Sequence, residues 1–417
     1  MPTLAPSPAR AWITAAEAAA ELNVSRATLY AYVSRGLVES RGQPGSRKRL
    51  YAAADIRRLR SAGDGSAGSP DRALDFGTPL LDSAITLIDG GRLYYRGRDA
   101  LALAESASLE TVAGLLWQVD DADPFAEDDT AADVGGDIGA GPGIAGAIAR
   151  LALAGRADVA AYARTAPALA RTGARIVRHL VAVWAGETSP DGPAPDGPAP
   201  AGPAHRVLAH AWGVPAAAEA IRTALVLCAD HELNASAFAV RVAASTRTTP
   251  YAAVIAGLAT LEGPRHGGMT PQTLAMLAEA IRTGDGRATV TDRLRRGESL
   301  PGFGHPLYPD GDPRARAVLA AVRAATGPQP LLEVVAAVAE AGREATGLAP
   351  NVDFGLATLA ATWGLDADRA IGVFAIGRSV GWLAHAAEQA ASGQLIRPRA
   401  RYVGPDPRPA HANRARA

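Results

Sequence analysis

Apolar residues recur at helical spacing through most of the chain beyond residue 71, and this periodicity restricts the possible folds more than any other feature. Apolar residues three and four positions apart share one helix face, so each such stretch predicts an amphipathic or buried helix. Strand-like alternation is limited to one plausible hairpin at 85–94. The sequence therefore predicts an all-α body, with helices in the segments 101–117, 144–154, 216–230, 251–261, 331–345 and 370–392.

The composition narrows the class of protein. Hydrophobic residues make up 48% of the chain and charged residues 20%, as in soluble globular proteins. No apolar run approaches the roughly 18 residues of a membrane-spanning helix, and residues 1–10 lack the apolar core of a secretory signal. The single cysteine, Cys228, excludes a disulfide framework and a Cys-rich zinc site. We expect a cytoplasmic protein of two or three domains that does not bind membranes.

Charge is balanced over the whole chain but not along it. The totals are 42 basic and 42 acidic residues, yet residues 1–60 contain ten basic and four acidic groups, a net charge of +6. This asymmetry indicates that the first sixty residues have a separate function. A Gly/Ser-rich stretch at 61–70 predicts a linker. We therefore predict a first domain at 1–62, a linker at 63–72 and a second domain at 73–417.

The first domain has the outline of a winged helix-turn-helix. Thr14 and Glu17 form a capping box that begins one helix, and Ser25 is positioned to cap a second helix at 26–34. A basic hairpin at 42–51 follows as a wing. This order resembles the MerR/excisionase type of helix-turn-helix, whose second helix enters the major groove of DNA. The alternative is a small helical docking module with a solvated basic face. The residues expected to contact DNA are Arg26, Thr28, Tyr30, Arg47, Lys48 and Arg49.

Polar side chains accompany glycine and proline at four predicted helix boundaries of the body. These boundaries contain His231, His266, His305 and Asp353. Imidazole and carboxylate groups suit proton transfer near neutral pH. Taken singly, each residue could equally be a hydrogen-bonded structural residue or a helix cap. No HxH or HExxH spacing supports a metal site, so we predict none.

Three arginines stand out: Arg314 follows an Asp-Pro pair, Arg378 lies within the helix predicted at 370–392, and Arg397 precedes a proline. A guanidinium group binds a carboxylate through two parallel hydrogen bonds, so several arginines near histidines favour a di- or tricarboxylate substrate. The alternative is that each arginine pairs with a neighbouring acidic residue. Spacing alone does not distinguish these interpretations.

Between Ser83 and Gly404 the motifs resemble, in order, those of the citrate synthase family. The matching segments are SAITLIDGGRLYYRGRD, ADHELNASAFAVRVAAST, EGPRHGG, GFGHPLYPDGDPRA, PNVDFG and FAIGRSVGWLAHAAEQ…IRPRARYVG. The resemblance implies a nearly all-helical homodimer with a large and a small helical domain, the small one at roughly 267–361. It implies condensation of acetyl-CoA with oxaloacetate, followed by hydrolysis of citryl-CoA to citrate and CoA, with no metal or other cofactor.

The resemblance also implies roles for individual residues. Asp353 corresponds to the base that removes a methyl proton from acetyl-CoA. His266 corresponds to the residue that stabilises the resulting enolate, and His305 to the residue that polarises the ketone of oxaloacetate. The residues that correspond to oxaloacetate ligands are His231, Arg314, Arg378 and Arg397, the last of which reaches the neighbouring subunit's site.

The chain departs from the family pattern where the acyl-CoA is expected to bind. Pro306 and Pro309 replace residues that are often basic, and Met269-Thr270 stands where the family usually has Ala-Asn. These changes leave open a 2-methylcitrate synthase that uses propionyl-CoA. The basic first domain leaves open a DNA-binding regulator whose second domain senses a metabolite without turning it over.

Overall fold

The computed structural model divides into two compact units, Met1–Asp82 and Ser83–Ala417. The residues that the structure describes are 12–21, 29, 33, 38–42, 49–53, 55–56, 81–119, 123–126, 143–186, 202–400, 402 and 404.

The described part of the first unit is a small antiparallel sheet with one helix. Strands β1 (Trp12–Thr14), β2 (Ser40–Gly42) and β3 (Arg49–Ala52) are ordered β1-β3-β2. Helix α1 (Ala15–Glu21) follows β1 directly. The backbone N–H of Glu17 donates to Thr14 Oγ1 at 3.3 Å, and that of Thr14 donates to Glu17 Oε2 at 2.8 Å. The predicted capping box is therefore confirmed.

The wing predicted for this unit corresponds to the antiparallel pair of β2 and β3, in which Arg41 lies opposite Leu50. Arg49, at the start of β3, is exposed. The other five residues expected to contact DNA lie outside the described residues, as does most of the predicted second helix. The core of the unit is formed by Ala18, Ala19, Leu29, Val38, Tyr51 and Ile56.

The second unit begins with a three-stranded antiparallel sheet made of β4 (Thr86–Asp89), β5 (Arg92–Tyr95) and β6 (Arg98–Asp99). Strands β4 and β5 form the hairpin predicted at 85–94. Gly90 and Gly91, between them, have φ angles of 55° and 73°. Two consecutive left-handed residues are what a tight hairpin turn requires, and glycine adopts them at little steric cost.

Helices form the rest of the described second unit, as predicted. They are α2 (Ala100–Ser106), α3 (Leu109–Trp117), α4 (Gly143–Ala157), α5 (Ala166–Ala185), α6 (Ala204–Ala211), α7 (Ala218–Cys228), α8 (Ala235–Ser245), α9 (Pro250–Leu261), α10 (Met269–Thr283), α11 (Gly286–Arg295), α12 (Pro313–Thr326), α13 (Pro330–Thr346), α14 (Val352–Trp363) and α15 (Ala367–Ser392). Short 3₁₀ helices occupy Val159–Tyr162 and Pro215–Ala217.

One predicted helix, 101–117, proves to be two. Ala107 has an extended backbone that ends α2, and Ser108 caps α3 by accepting the N–H of Thr111 at 3.2 Å. In an uninterrupted helix the N–H of Thr111 would bond to a backbone carbonyl of the preceding turn. The Ser108 side chain accepts it instead, so a new helix can begin within the apolar stretch.

Helix α15 lies at the centre of the second unit and contacts α3, α5, α7, α8 and α9. Added Cβ atoms at Gly377 and Gly381 would lie 2.6 Å from the Leu225 carbonyl oxygen and 2.3 Å from that of Ala229. These glycines therefore allow the α7 segment to pack closely. Among the described residues, α15 alone is long and apolar enough to cross a bilayer, but 94% of its apolar window is buried inside the protein.

A second core cluster lies between α10, α11, α13 and α14, built from Met276, Leu277, Val290, Val338 and Phe354 among others. Leu274 and Leu331 contact both this cluster and the larger core. The division of the body into a large and a small domain, with the small one at roughly 267–361, stays a prediction.

Candidate active site

His231 lies in the turn between α7 and α8. Asn234 ends that turn by capping α8, because its Oδ1 accepts the N–H groups of Ser236 and Ala237, each at 3.1 Å. The His231 ring is buried, and its Nε2 lies 3.0 Å from the hydroxyl of Tyr308. Burial holds the pKa of His231 well below its usual range, and the positive charge of Arg314 acts in the same direction. The ring is therefore neutral at physiological pH.

His305 lies in the loop that precedes α12. The backbone N–H of Leu307 donates to its Nδ1 at 3.2 Å, so the neutral ring has its hydrogen on Nε2. The His305 ring meets that of His231 edge-on, with 4.9 Å between centroids, and lies 5.1 Å from the Tyr308 ring. Burial lowers the pKa of His305 to about 4. His305 is thus a neutral hydrogen-bond donor through Nε2.

The loop of His305 is tied to the start of α14, which contains Asp353. The N–H of Asn351 donates to the Gly302 carbonyl at 2.9 Å, and Asn351 Nδ2 donates to the Gly304 carbonyl at 3.0 Å. Gly302 and Gly304 have φ angles of 84° and 77°, which glycine tolerates best. These contacts bring together two residues that the sequence singled out forty-eight positions apart.

Asp353 occupies the first turn of α14, where Asn351 accepts its backbone N–H at 3.0 Å. Its Oδ1 accepts the hydroxyl hydrogen of Thr270 at 2.5 Å. Burial raises the pKa of Asp353 to about 6, although the Thr270 hydrogen bond and the charge of Arg314 oppose the rise. A carboxylate of this kind is ionised at pH 7 and is a stronger base than an exposed one.

His266 lies in the loop between α9 and α10. Its Nε2 is 2.8 Å from the hydroxyl oxygen of Ser236, which also accepts from Trp382 Nε1 at 3.1 Å. Asn234 Oδ1 is a second acceptor for the Ser236 hydroxyl, at 2.7 Å. The hydroxyl of Ser236 has one hydrogen to donate. If it donates to Asn234, then His266 Nε2 carries the ring hydrogen, and if it donates to His266 Nε2, then Nδ1 carries it. Burial lowers the pKa of His266 to about 4, so this ring is also neutral.

Arg314 is buried and pairs with the residue that caps its own helix. Its Nε and Nη2 donate to the two carboxylate oxygens of Asp312 at 3.0 and 2.8 Å. Asp312 also accepts the N–H of Val352 at 3.0 Å. The guanidinium carbon lies 5.5 Å from the centre of the Tyr308 ring. Arg314 therefore has a local acidic partner, and this pairing holds its guanidinium group beside Tyr308, the residue whose hydroxyl contacts His231.

Arg378 differs, because no described carboxylate forms an ion pair with it. The side chain lies on α15, is 1% exposed, and donates from Nε to the Cys228 carbonyl at 2.8 Å. Asp230, the buried acid one residue before His231, instead lies 3.2 Å from His385 Nε2. Burial lowers the pKa of Arg378. A buried cation whose terminal nitrogens lack a described partner is poised to bind an anion.

Arg397 lies beyond α15 and is exposed. None of the described contacts links it to the other site residues within this chain. The sequence did not identify Tyr308 or Ser236 as site residues, and it singled out Thr270 only as a departure from the family pattern, without its contact to Asp353. Each is a polar residue inside or beside one of the family motifs, but its hydrogen-bond partner becomes evident only in the folded structure. The part of the chain that the structure describes contains no group of three or more His, Cys, Asp or Glu side chains arranged to hold a metal ion.

Comparison with known proteins identifies both units. Residues 12–63 match the helix-turn-helix domain model, and residues 75–399 match the model of the citrate synthase C-terminal domain. The chain is 38% identical to citrate synthase 2 of Bacillus subtilis over 195 aligned residues. The aligned region covers 46% of this chain and 52% of that protein. It is 33% identical over 196 residues to 2-methylcitrate synthase of Mycobacterium tuberculosis, covering 46% and 50%.

Among solved structures, the ternary complex of citrate synthase from Thermoplasma acidophilum with carboxymethyl coenzyme A and oxaloacetate matches with a TM-score of 0.66 and 24% identity. The match covers 80% of this chain and 96% of that one. The matched sequence spans about half the length of the curated relatives, whereas the family model extends over more than three quarters of this chain. The ordered motifs, the helical body and the family match agree, and the chain belongs to the citrate synthase family.

Proposed function

We propose that the protein is a citrate synthase, which condenses acetyl-CoA with oxaloacetate and hydrolyses citryl-CoA to citrate and CoA. The observation that carries this proposal is the juxtaposition of three neutral histidines and the half-buried base Asp353 with Arg378, a buried cation that forms no ion pair among the described residues. Carboxylate binding, carbonyl polarisation and proton removal each have a suitable group at this site.

The dicarboxylate is bound first. Arg378 binds one carboxylate through its terminal nitrogens, and Arg314 offers the nitrogen that Asp312 leaves free. His231 donates a third hydrogen bond from Nδ1, which requires Tyr308 to donate its hydroxyl hydrogen to Nε2. Oxaloacetate fits this set because its two carboxylates flank a ketone.

The ketone of oxaloacetate is polarised by His305. Its Nε2–H is the only hydrogen on the neutral ring, because Nδ1 accepts from Leu307. The Nε2–H group donates a hydrogen bond to the ketone oxygen. Its proton is transferred to that oxygen as negative charge develops there. Because the pKa of His305 is lowered to about 4, the ring is neutral at pH 7, so the placement of its N–H group rather than a positive charge provides the stabilisation.

Asp353 removes a proton from the acetyl-CoA methyl group, and the methyl carbon then attacks the ketone carbon. A carboxylate alone is far too weak a base for this step, so the enolate oxygen needs a donor. His266 supplies it from Nδ1 when Ser236 donates its hydroxyl hydrogen to Nε2. The new carbon–carbon bond yields citryl-CoA, whose thioester is then hydrolysed. Closure of the site around the substrates limits hydrolysis of acetyl-CoA itself.

The active form is a homodimer in this proposal, with Arg397 entering the site of the other protomer. Four exposed apolar side chains of the second unit support an interface, namely Leu153, Val159, Tyr162 and Val242. They lie on or beside α4 and α8, both of which pack against α9. Exposed apolar residues on two helices that share a packing partner support a surface covered by another subunit. We place the dimer in the cytoplasm.

The acyl-CoA preference is tested with two thioesters. Pro306 and Pro309 are both exposed and uncharged, so they provide no basic group for the CoA phosphates. With oxaloacetate, purified protein is expected to release CoA from acetyl-CoA with a kcat/KM about tenfold or more above that for propionyl-CoA, the usual effect of one methylene. A reversed ratio assigns 2-methylcitrate synthesis instead, and no turnover of either thioester by folded protein contradicts the proposal.

The first unit binds DNA in this proposal. The helix-turn-helix match, the net charge of +6 on residues 1–60, and the exposed Arg41 and Arg49 on the two wing strands support this role. A dimer carries two copies of the unit, which suits a palindromic site.

Fluorescence anisotropy of the full-length protein with DNA from upstream of its own gene tests the DNA role. The logarithm of the binding constant is expected to fall linearly with the logarithm of salt concentration, and Arg49→Ala is expected to reduce the slope by about one. Arg287→Ala is the matched control, since Arg287 is an exposed arginine paired with Glu344 in the second unit. Absence of binding at low salt contradicts DNA binding.

A further inference from the structure

The carboxyl group of Asp353 has one side-chain hydrogen-bond partner among the described residues, the hydroxyl of Thr270. Thr270 is the second residue of α10, just as Asp353 is the second residue of α14, and these two helices pack against each other. Thr270 is 0% exposed. Its hydroxyl is therefore shielded from water, and the short 2.5 Å contact with Oδ1 is typical of a hydroxyl donating to a charged acceptor.

The two oxygens of Asp353 are not equivalent in this arrangement. Oδ1 is held by Thr270, whereas no other side chain among the described residues donates to the carboxyl group. An oxygen that already accepts a strong hydrogen bond is the weaker proton acceptor of the pair. Oδ2 is therefore the oxygen suited to take a proton from substrate.

We propose that Thr270 is a positioning residue for Asp353, whose hydroxyl anchors Oδ1 and directs Oδ2 toward the methyl group of the acyl-CoA. This inference rests on the proposed function, in which Asp353 is the base. Threonine stands here at a position where the family motif usually has asparagine, and its single hydroxyl hydrogen suffices because one carboxylate oxygen must stay free.

The groups that face Asp353 define how removal of the hydroxyl acts. Arg314 and Asp312 face it from the start of α12, and the buried thiol of Cys228 faces it from α7. Arg314 lowers the pKa of Asp353, Asp312 raises it, and the Thr270 hydrogen bond lowers it. Loss of the hydroxyl removes one stabilising contact of the ionised form, so the pKa rises above its value of about 6.

The test compares Thr270→Val, which keeps the shape and loses the hydroxyl, with Thr270→Ser, which keeps the hydroxyl. For Thr270→Val we expect the acid limb of the kcat/KM profile to move about one unit toward higher pH, and the plateau kcat to fall about tenfold because the carboxylate is no longer oriented. Thr270→Ser is expected to retain the wild-type limb. Thr273→Val is the control, since Thr273 is equally buried one turn later and donates to the Met269 carbonyl.

A second readout separates this inference from the proposed function. A ¹³C NMR titration of labelled aspartate carboxyls, with the Asp353 signal identified by its absence in Asp353→Asn, reports the carboxyl pKa without any substrate. A higher pKa of Asp353 in Thr270→Val, but not in Thr270→Ser, supports the contact between Thr270 and Asp353. Absence of thioester turnover by the wild type contradicts only the proposed function and leaves this result intact. Unchanged titration and an unchanged acid limb in a folded, active Thr270→Val protein overturn the inference. Thr270→Ala replaces Thr270→Val if the latter does not fold.

Discussion

Asp353→Asn is expected to lower kcat for citrate formation by about a thousandfold, which is within the range for loss of a general base. The amide keeps the size of the side chain and can still accept the Thr270 hydroxyl, but it cannot take a proton from the acetyl-CoA methyl group. Dissociation constants for oxaloacetate are expected to change little, because Arg314 and Arg378 remain. Steady-state CoA release and isothermal titration with oxaloacetate measure these two quantities.

The same substitution is expected to stabilise the fold. The pKa of Asp353 is about 6 in the folded protein and about 4 in an unfolded chain. Between these pH values the folded state binds more protons than the unfolded state, so the free energy of unfolding falls as the pH rises through this window. At pH 7 the ionised Asp353 destabilises the folded state by up to about 3 kcal/mol, a cost that the neutral asparagine does not carry. Urea unfolding at pH 7 is therefore expected to give a higher midpoint for Asp353→Asn.

Asp310→Asn is the matched control for this prediction, because Asp310 is an exposed carboxylate on the loop that precedes α12. It is expected to retain wild-type kcat. Near-wild-type turnover in Asp353→Asn contradicts the role of Asp353 as base. A wild-type protein that binds oxaloacetate and DNA but forms no citrate supports the metabolite-sensing regulator instead.

Mixed dimers of Arg397→Ala and Asp353→Asn are expected to recover activity that neither variant has alone. A mixed dimer contains one site with an intact Asp353 that receives Arg397 from the Asp353→Asn protomer. Its other site lacks both groups. Because one of its two sites is complete, the purified mixed dimer is expected to recover about half of wild-type turnover. Co-expression with two affinity tags, followed by tandem purification and the CoA release assay, measures the recovery in mixed dimers.

The control mixture pairs Arg397→Ala with a chain carrying both substitutions. No protomer of that mixture supplies Arg397, so no recovery is expected. Purified mixed dimers without recovery would show that Arg397 does not act across the interface. Full activity of Arg397→Ala by itself would show that this arginine does not bind substrate.

Local sequence signals predicted much of what the structure contains. The helical periodicity of 251–261 and 331–345 corresponds to α9 and α13 within a residue at each end. The capping box of Thr14 and Glu17 forms as its spacing predicts. These features depend on residues within one helical turn of each other, so the chain encodes them locally. The break at Ser108 was not predicted. Only two residues separate the two helices there, and the apolar periodicity continues across the break.

The sequence by itself determined which chemical groups are available at the site, and their order identified the family. Only the tertiary structure decided what each group can do. Arg378 donates to the Cys228 carbonyl at the end of α7, 150 residues away, and forms no ion pair among the described residues, whereas Arg314 pairs with Asp312 two residues before it. His305 has its tautomer set by the backbone, and Asp353 has one oxygen held by Thr270, 83 residues earlier. Burial and long-range hydrogen bonds set ionisation and orientation, and both arise only when distant segments pack together.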